Sequence, residues 1–338
     1  MPLLRETLRP TLKPEQADVY TPTLSAIDED ISRYRGQIEL MVYPFKALGG
    51  ISVDQAMLGS KGLVTRGGFR DRSAMLIQRG KDEQWKRFTQ RDEPALAQVK
   101  LELASDHLLA LVSPCGESVE CSAEDLQPDR GTVVRAATYE DQSVEGRMED
   151  SDGRLTQFIR NHLASLGKYS REQLERIGVL LPHLDIFRRI PHSHTGGVDG
   201  STEFADVSKY LLLNSATVDY VNKGITPPVP TEAYRGNIIV KNGWPANLED
   251  IIESADTGFG INLHFGVPST RCSVTMVDPE TGIKRKDGEP LAALLQRRPR
   301  RNKQPTMGIN IADGSEGFGQ KIFAGQILVP RKEKMSDT

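Results

Sequence analysis

Residues 73–123 read SAMLIQRGKDEQWKRFTQRDEPALAQVKLELASDHLLALVSPCGESVECSA. The apolar runs in this stretch (SAMLIQRG, WKRFTQ, AQVKLELA, HLLALVSP and ESVECSA) are short, and Gly, Asp or Pro separates them. Such spacing is the signature of successive strands joined by turns. Outward from this stretch the pattern continues. Upstream lie QIELMVYPFKAL at 37–48 and SVDQAMLGSKGLV at 52–64; downstream lies TVVRAATY at 132–139. Strands this short and closely spaced point to a β-barrel or sandwich.

Helical period first appears at 153–166, where Leu155, Phe158, Ile159, His162, Leu163 and Leu166 share one face. Asp152 is placed to cap its start and Gly167 to end it. Residues 168–200 combine the charged SREQLERIG with the loop IPHSHTGGVDGST, which runs on to residue 202. SKYLLLNSATVDYVN then gives a strand and a short helix, ITPPVPTEA a connector, and EPLAALLQRR a short amphipathic helix. Strand runs return in GNIIVKN, GINLHFGVP, CSVTMVDP, MGINIA and GQILVP. The expected class is α+β and β-rich. The division expected is an extension at 1–35 with a short helix near 24–34, a β-barrel domain at 36–167, a connecting segment at 168–200, a second barrel with peripheral helices at 201–332, and a tail at 333–338.

Composition narrows the functions. The chain has 338 residues, with 43 Lys plus Arg against 46 Asp plus Glu, a net charge of −3. Hydrophobic residues make up 38% and charged residues 26%, which excludes a disordered or collagen-like chain. So balanced a charge argues against a nucleic-acid binder, which carries a basic excess. Three cysteines, Cys115, Cys121 and Cys272, form no disulfide framework and suit a reducing compartment. No run approaches the ~20 apolar residues of a membrane span. The N-terminal MPLLRETLRPTLKPEQ carries charge and Pro where a signal peptide needs an apolar core, so the expected location is cytoplasmic.

The window that carries chemistry is PSTRCSVTMVDPETG, residues 268–282. Here Cys272 follows Arg271 and precedes an expected strand ending in a DPETG turn. Taken alone, a free Cys is most often a small buried hydrophobe, and Asp278 a turn former. The other candidates are weaker. His192, His194 and Asp199 lack a second ligand cluster, so a metal site is not expected there. The basic run QRRPRRNKQ at 296–304 reads as a solvated loop, or as a docking patch for an acidic electron-transfer partner. Neither GSEGFG nor GFGIN sits in a βαβ unit, so a nicotinamide fingerprint is not supported. No CxxC cluster is present to hold an iron–sulfur centre.

The order of windows adds to this. YPFKALGGISVDQA, GFRDRSAMLI, FTQRDEPAL, FADVSKYLLLNSATVDYVN, YRGNIIVKNGWPANLEDI, TRCSVTMVDPETG, EPLAALLQRR and MGINI follow one another over residues 43–311. In this the chain resembles the MOSC proteins with an N-terminal β-barrel domain, above all the branch of the mitochondrial amidoxime reducing components and their bacterial relatives. The resemblance implies a molybdenum cofactor, with Cys272 as the thiolate ligand of molybdenum. A soft thiolate suits a sulfur-rich redox metal, and Arg271 beside it favours the deprotonated form.

By the same resemblance, Lys46, Arg72, Ser208, Arg235, Asn237, Thr270 and Arg271 bind the cofactor; Asp71, beside Arg72 in the sequence, is expected to orient that arginine. Four positions depart from the family pattern. Ala47 replaces a Ser, Val207 a Thr and Gly236 a Pro, while Thr270 replaces a Ser and keeps its hydroxyl. Cys115 and Cys121 match nothing in the family's site and are expected inside a barrel or on the surface. The implied activity is reduction of N-hydroxylated or N-oxygenated small molecules, with electrons from separate proteins of cytochrome b5 or ferredoxin type. Two alternatives stay open: a persulfide sulfur carrier or sulfurtransferase using the same Cys272, with neither a fused desulfurase domain nor pyridoxal phosphate expected, and a non-catalytic cofactor-binding protein.

Overall fold

The computed structural model describes residues 30–127, 131–138, 143–149, 153–182, 204–205, 208–311 and 319–331. Two closed rings of strands organise them. The smaller runs Thr132–Ala137, Ser143–Met148, Ile177–Pro182, Met75–Arg79 and Trp85–Arg87, and a parallel pairing of Ala136 with Trp85 closes it. Its interior holds Met75, Ile77, Ala136, Val144, Leu180 and Phe204.

The strand Ile177–Pro182 is buried along its whole length. Successive side chains of a strand point to opposite faces. Leu180 therefore enters this barrel, while Ile177, Val179 and Leu181 enter the main core on the other side. With both faces covered the strand shows no polar alternation. For that reason the segment reads from sequence as the tail of a charged stretch.

The larger ring runs Leu211–Asn214, Ile238–Lys241, Gly36–Val42, Ile327–Arg331, Ser254–Asp256, Asn262–Thr270 and Gln304–Ile311, and closes where Leu212 pairs with Ile309. Gly36–Val42 lies between Ile238–Lys241 and Ile327–Arg331, so the first strand among the described residues is built into a sheet made mainly from the chain's second half. Its alternation is strict: Gly36, Ile38, Leu40 and Val42 are buried while Gln37 and Glu39 are exposed. One continuous core joins Leu40, Leu76, Leu96, Ile177, Leu212, Leu263 and Leu328.

The helices cover the rings. Arg154–Ser165 sets Leu155, Phe158, Ile159 and Leu163 into the core, as its period requires. Glu149 caps it, accepting from the backbone N–H groups of Leu155 (3.1 Å) and Thr156 (2.6 Å); the expected cap, Asp152, lies outside the described residues. Ser215–Asn222 and Leu291–Arg297 pack Val218, Val221, Ala293 and Leu294 against Leu213 and Ile239. Within the expected helix near 24–34, the described part is a 3-10 turn, Ile31–Arg33. Among the described residues no helix is long and apolar enough to cross a membrane.

Two expectations are corrected. CSVTMVDP is not a strand, because Ser273–Met276 is a 3-10 turn. The Cys272 carbonyl accepts from both the N–H (3.1 Å) and the hydroxyl (2.9 Å) of Thr275, and this local bonding wins over an extended path. Nor is QRRPRRNKQ a solvated loop. Arg298 is fully buried against Asp250 (2.6 Å), and Arg297 donates to the carbonyl of Val221 (2.7 Å). Arg300–Arg301 folds back on Gln304–Ile311 through Asn302 and Lys303, both with positive φ, as a two-residue hairpin turn requires.

Candidate active site

Three chain segments converge at one end of the larger ring: Tyr43–Leu48 after the first strand, Asp71 with Arg72, and Arg235–Asn237 before Ile238–Lys241. Asp71, 2% exposed, ties them together. Its carboxylate accepts from the N–H of Tyr43 (2.8 Å), from Asn237 Nδ2 (2.9 Å) and from the Arg72 guanidinium. Arg72 also donates to the carbonyl of Arg235 (2.9 Å) and to Asn237 Oδ1 (3.3 Å). Asn237 is buried and bonds in turn to the Met41 carbonyl (3.2 Å) and the N–H of Leu211 (3.2 Å). It therefore works as a bracket for Asp71 and Arg72, the orienting arrangement expected of Asp71.

Arg235 reaches the other way. It donates to the carbonyls of Leu48 (2.5 Å) and Phe45 (3.2 Å) and so grips the loop that carries Lys46. The main chain of Lys46 is fixed by its N–H to the Ala74 carbonyl (2.8 Å). Arg72 and Arg235 both have left-handed backbones, φ 51° and 53°. That conformation is uncommon outside glycine and costs roughly 1–2 kcal/mol per residue. Backbone strain of this kind is characteristic of functional sites.

Tyr43 sits between these cations. Its ring centroid is 4.3 Å from the Arg235 guanidinium carbon and 5.2 Å from that of Arg72, both in cation–π range. Burial pushes its phenol pKa up to about 12 against the opposing pull of the two arginines. The hydroxyl is buried with no hydrogen-bond partner among the described residues.

The Cys272 window joins this cluster through Arg271, whose guanidinium donates to the carbonyls of Met307 (2.9 Å) and Tyr234 (3.0 Å), the latter next to Arg235. Burial lowers the Arg271 pKa to about 10, and the charge of Arg72 works in the same direction. Cys272 is half-buried, and its Sγ accepts from Arg91 Nη2 at 3.0 Å. Sequence reasoning passed over Arg91 and Tyr43, although both lie in windows that carried the resemblance, FTQRDEPAL and YPFKA.

Ser208 and Thr270 flank a single strand, Gln304–Ile311. The Ser208 hydroxyl lies 2.6 Å from the Tyr210 carbonyl and 3.1 Å from Asn310 Oδ1, while Thr270 pairs with Thr306. Gly236 is tightly packed, since a Cβ there would lie 2.5 Å from Leu213 Cδ1. Asp278 makes its turn, accepting from the N–H groups of Glu280 and Thr281, each at 2.9 Å. Cys121 is buried and Cys115 exposed, in keeping with non-site thiols. His192, His194, Asp199 and Val207 lie outside the described residues. Among the described residues no cluster of His, Cys, Asp and Glu forms a metal site.

The arrangement can hold an anionic group over a platform of guanidiniums, with a soft sulfur at its edge. Residues 37–162 match the MOSC N-terminal beta barrel domain family. Over a longer span the chain is similar to three named relatives. They are mitochondrial amidoxime-reducing component 1 of Homo sapiens (26% identical over 259 residues, 76% of this chain and 70% of the relative), mitochondrial amidoxime reducing component 2 of Bos taurus (26% over 260 residues, 76% and 70%), and component 1 of Danio rerio (24% over 286 residues, 83% and 81%).

Proposed function

We propose that the protein is a molybdenum cofactor-dependent reductase of N-hydroxylated or N-oxygenated small molecules. A separate electron-transfer protein of cytochrome b5 or ferredoxin type re-reduces it. What supports this reading is that Cys272 adjoins Arg271, whose guanidinium donates to the Tyr234 carbonyl beside Arg235, and that its Sγ accepts from Arg91. A half-buried group of cations with Asp71 as its bonded carboxylate suits an anionic occupant, and the Tyr43 hydroxyl beside it suits a hydrogen-bonding one. The names of the relatives support a reductase, and the site chemistry fits a phosphate-bearing, sulfur-liganded cofactor.

When bound, the group supplies the two-electron reduction, in which an N-hydroxyl compound takes up two electrons and two protons and releases water. The chain's own residues bind and orient. Cys272 ligates the metal. Arg72, Arg235 and Lys46 hold the phosphate and pterin with fixed charge, and Ser208 and Thr270 offer hydroxyls along Gln304–Ile311. Asn237 keeps Arg72 in place through Asp71. Arg271 fixes the strand end from which Cys272 projects.

Elemental and pterin analysis of protein made in a cofactor-competent host tests the reading, with about one molybdenum per chain expected. Cys272→Ala should abolish reduction of an amidoxime by a chemical electron donor and leave the circular dichroism unchanged. Full activity in that variant overturns the proposal. So does a metal-free protein with cyanide-releasable sulfur on Cys272, which would establish the sulfur-carrier reading instead.

A further inference from the structure

We propose that Arg91 is a positioning residue of this site. It holds the Cys272 sulfur, so that the N-terminal region reaches across the sequence to the metal-binding thiolate. The inference rests on the reading above and deepens it.

The contact spans 181 residues of sequence, with Arg91 Nη2 at 3.0 Å from Sγ. Both of its sides are fixed. Arg91 sits in a tight turn whose N–H groups at Asp92 and Glu93 both donate to the Thr89 carbonyl at 2.9 Å. Asp92 takes the N–H (2.9 Å) and hydroxyl (3.1 Å) of Thr89, and the Arg91 N–H reaches that same hydroxyl at 3.2 Å. Gln90, the preceding residue, donates to the carbonyl of Ala47 (2.8 Å), beside Lys46. Glu93 is 2% exposed and clamped by Lys168 and Tyr169, the latter at 2.6 Å.

On the other side, the turn after Cys272 is pressed onto the helix that follows Arg91. A Cβ at Gly282, φ +62°, would lie 2.9 Å from Ala95 Cα. These bonds fix the main chain at Arg91, and the packing at Gly282 fixes the turn that follows the Cys272 segment.

A guanidinium is permanently charged and planar, and a hydrogen bond from it to an ionised acceptor is roughly twice as strong as a neutral one. From this position Arg91 fixes the direction of the sulfur lone pairs and draws charge from them. A metal held by Cys272 would feel Arg91 through this sulfur. Groups that orient a metal ligand in this way typically control about 10–100-fold of metal affinity.

The test uses the full chain from a cofactor-competent host and compares the unaltered protein with Arg91→Met and Arg91→Lys. The readouts are molybdenum and pterin content, the rate of molybdenum loss to a chelator, and the electron paramagnetic resonance signal of the half-reduced metal. Arg91→Met should keep its pterin, lose molybdenum about 10-fold faster and show a shifted signal; Arg91→Lys should recover part of both. An Arg91→Met protein with unchanged loss rate and signal overturns the inference. If that variant does not melt cooperatively, Arg91→Lys decides: a shifted signal supports the inference and an unshifted one overturns it. Absence of molybdenum from the unaltered protein is a separate result, which defeats the reductase reading itself.

Discussion

Tyr43 turns its ring to two guanidiniums and leaves its hydroxyl buried among them without a partner. Removing that hydroxyl should therefore cost the empty protein little. Tyr43→Phe is expected within about 1 kcal/mol of the original in urea unfolding, with cofactor retention the property that suffers. Asp71 is the opposite case. Asp71→Ala removes the acceptor for Tyr43, Asn237 and Arg72 and leaves a buried cation uncompensated, so a loss of about 3–5 kcal/mol is expected in the same measurement. Equal losses in the two variants would contradict this account of the cluster. Asp278 was readable as a turn former because its bonds reach only two or three residues ahead. Tyr43 and Arg91 left no comparable mark. Their decisive partners come from distant parts of the chain, and neither a period nor a local spacing records such a meeting.

Helices with one apolar stripe, such as Arg154–Ser165 and Leu291–Arg297, were legible because 3.6-residue periodicity is imposed by a single buried face. Ile177–Pro182 was not, being buried on both faces. The basic stretch near Arg298 misled in the reverse sense: its charge density suggests solvent, yet its counter-charge, Asp250, lies far upstream and takes Arg298 inside, beside Glu249.

That packing has a pH consequence. Burial, reinforced by Asp250, raises the Glu249 pKa from 4.5 to about 7. Its folded form thus holds a proton that the unfolded chain releases, and the stability it adds is complete at low pH and is lost as pH climbs from about 5 through about 7. Glu249→Gln should flatten that part of a plot of melting temperature against pH; an identical slope in both proteins would refute the assignment. At the junction of Tyr234 and Ile238, Gly236→Ala should cost about 1–3 kcal/mol in urea unfolding, since its new methyl must displace Leu213.

Over the whole molecule the two regions share both a sheet and a core. A fragment covering 204–338 lacks Gly36–Val42 and so leaves Ile238–Lys241 and Ile327–Arg331 with open edges and a breached barrel. It should be insoluble, or bind a dye for exposed apolar surface, where the full chain does neither. A cooperatively melting fragment would refute this account. From sequence the barrels were legible as classes of structure, since strand length and turn residues are local. The sharing of the first strand was not, because alternation reports which face is buried and nothing about whose strand lies alongside.

Gly36–Val42 also sets a timetable. As the chain is synthesised, this ribbon emerges well before two of its partners and can pair at first with Ile51–Val53. Its neighbour at Ile238–Lys241 is some two hundred residues away, and the one at Ile327–Arg331 farther still. Until both have been made, an alternating strand with apolar Ile38, Leu40 and Val42 has to wait with its edges incomplete. A nascent chain of this kind is a natural client for chaperones, and its larger barrel can close only once Ile327–Arg331 has left the ribosome.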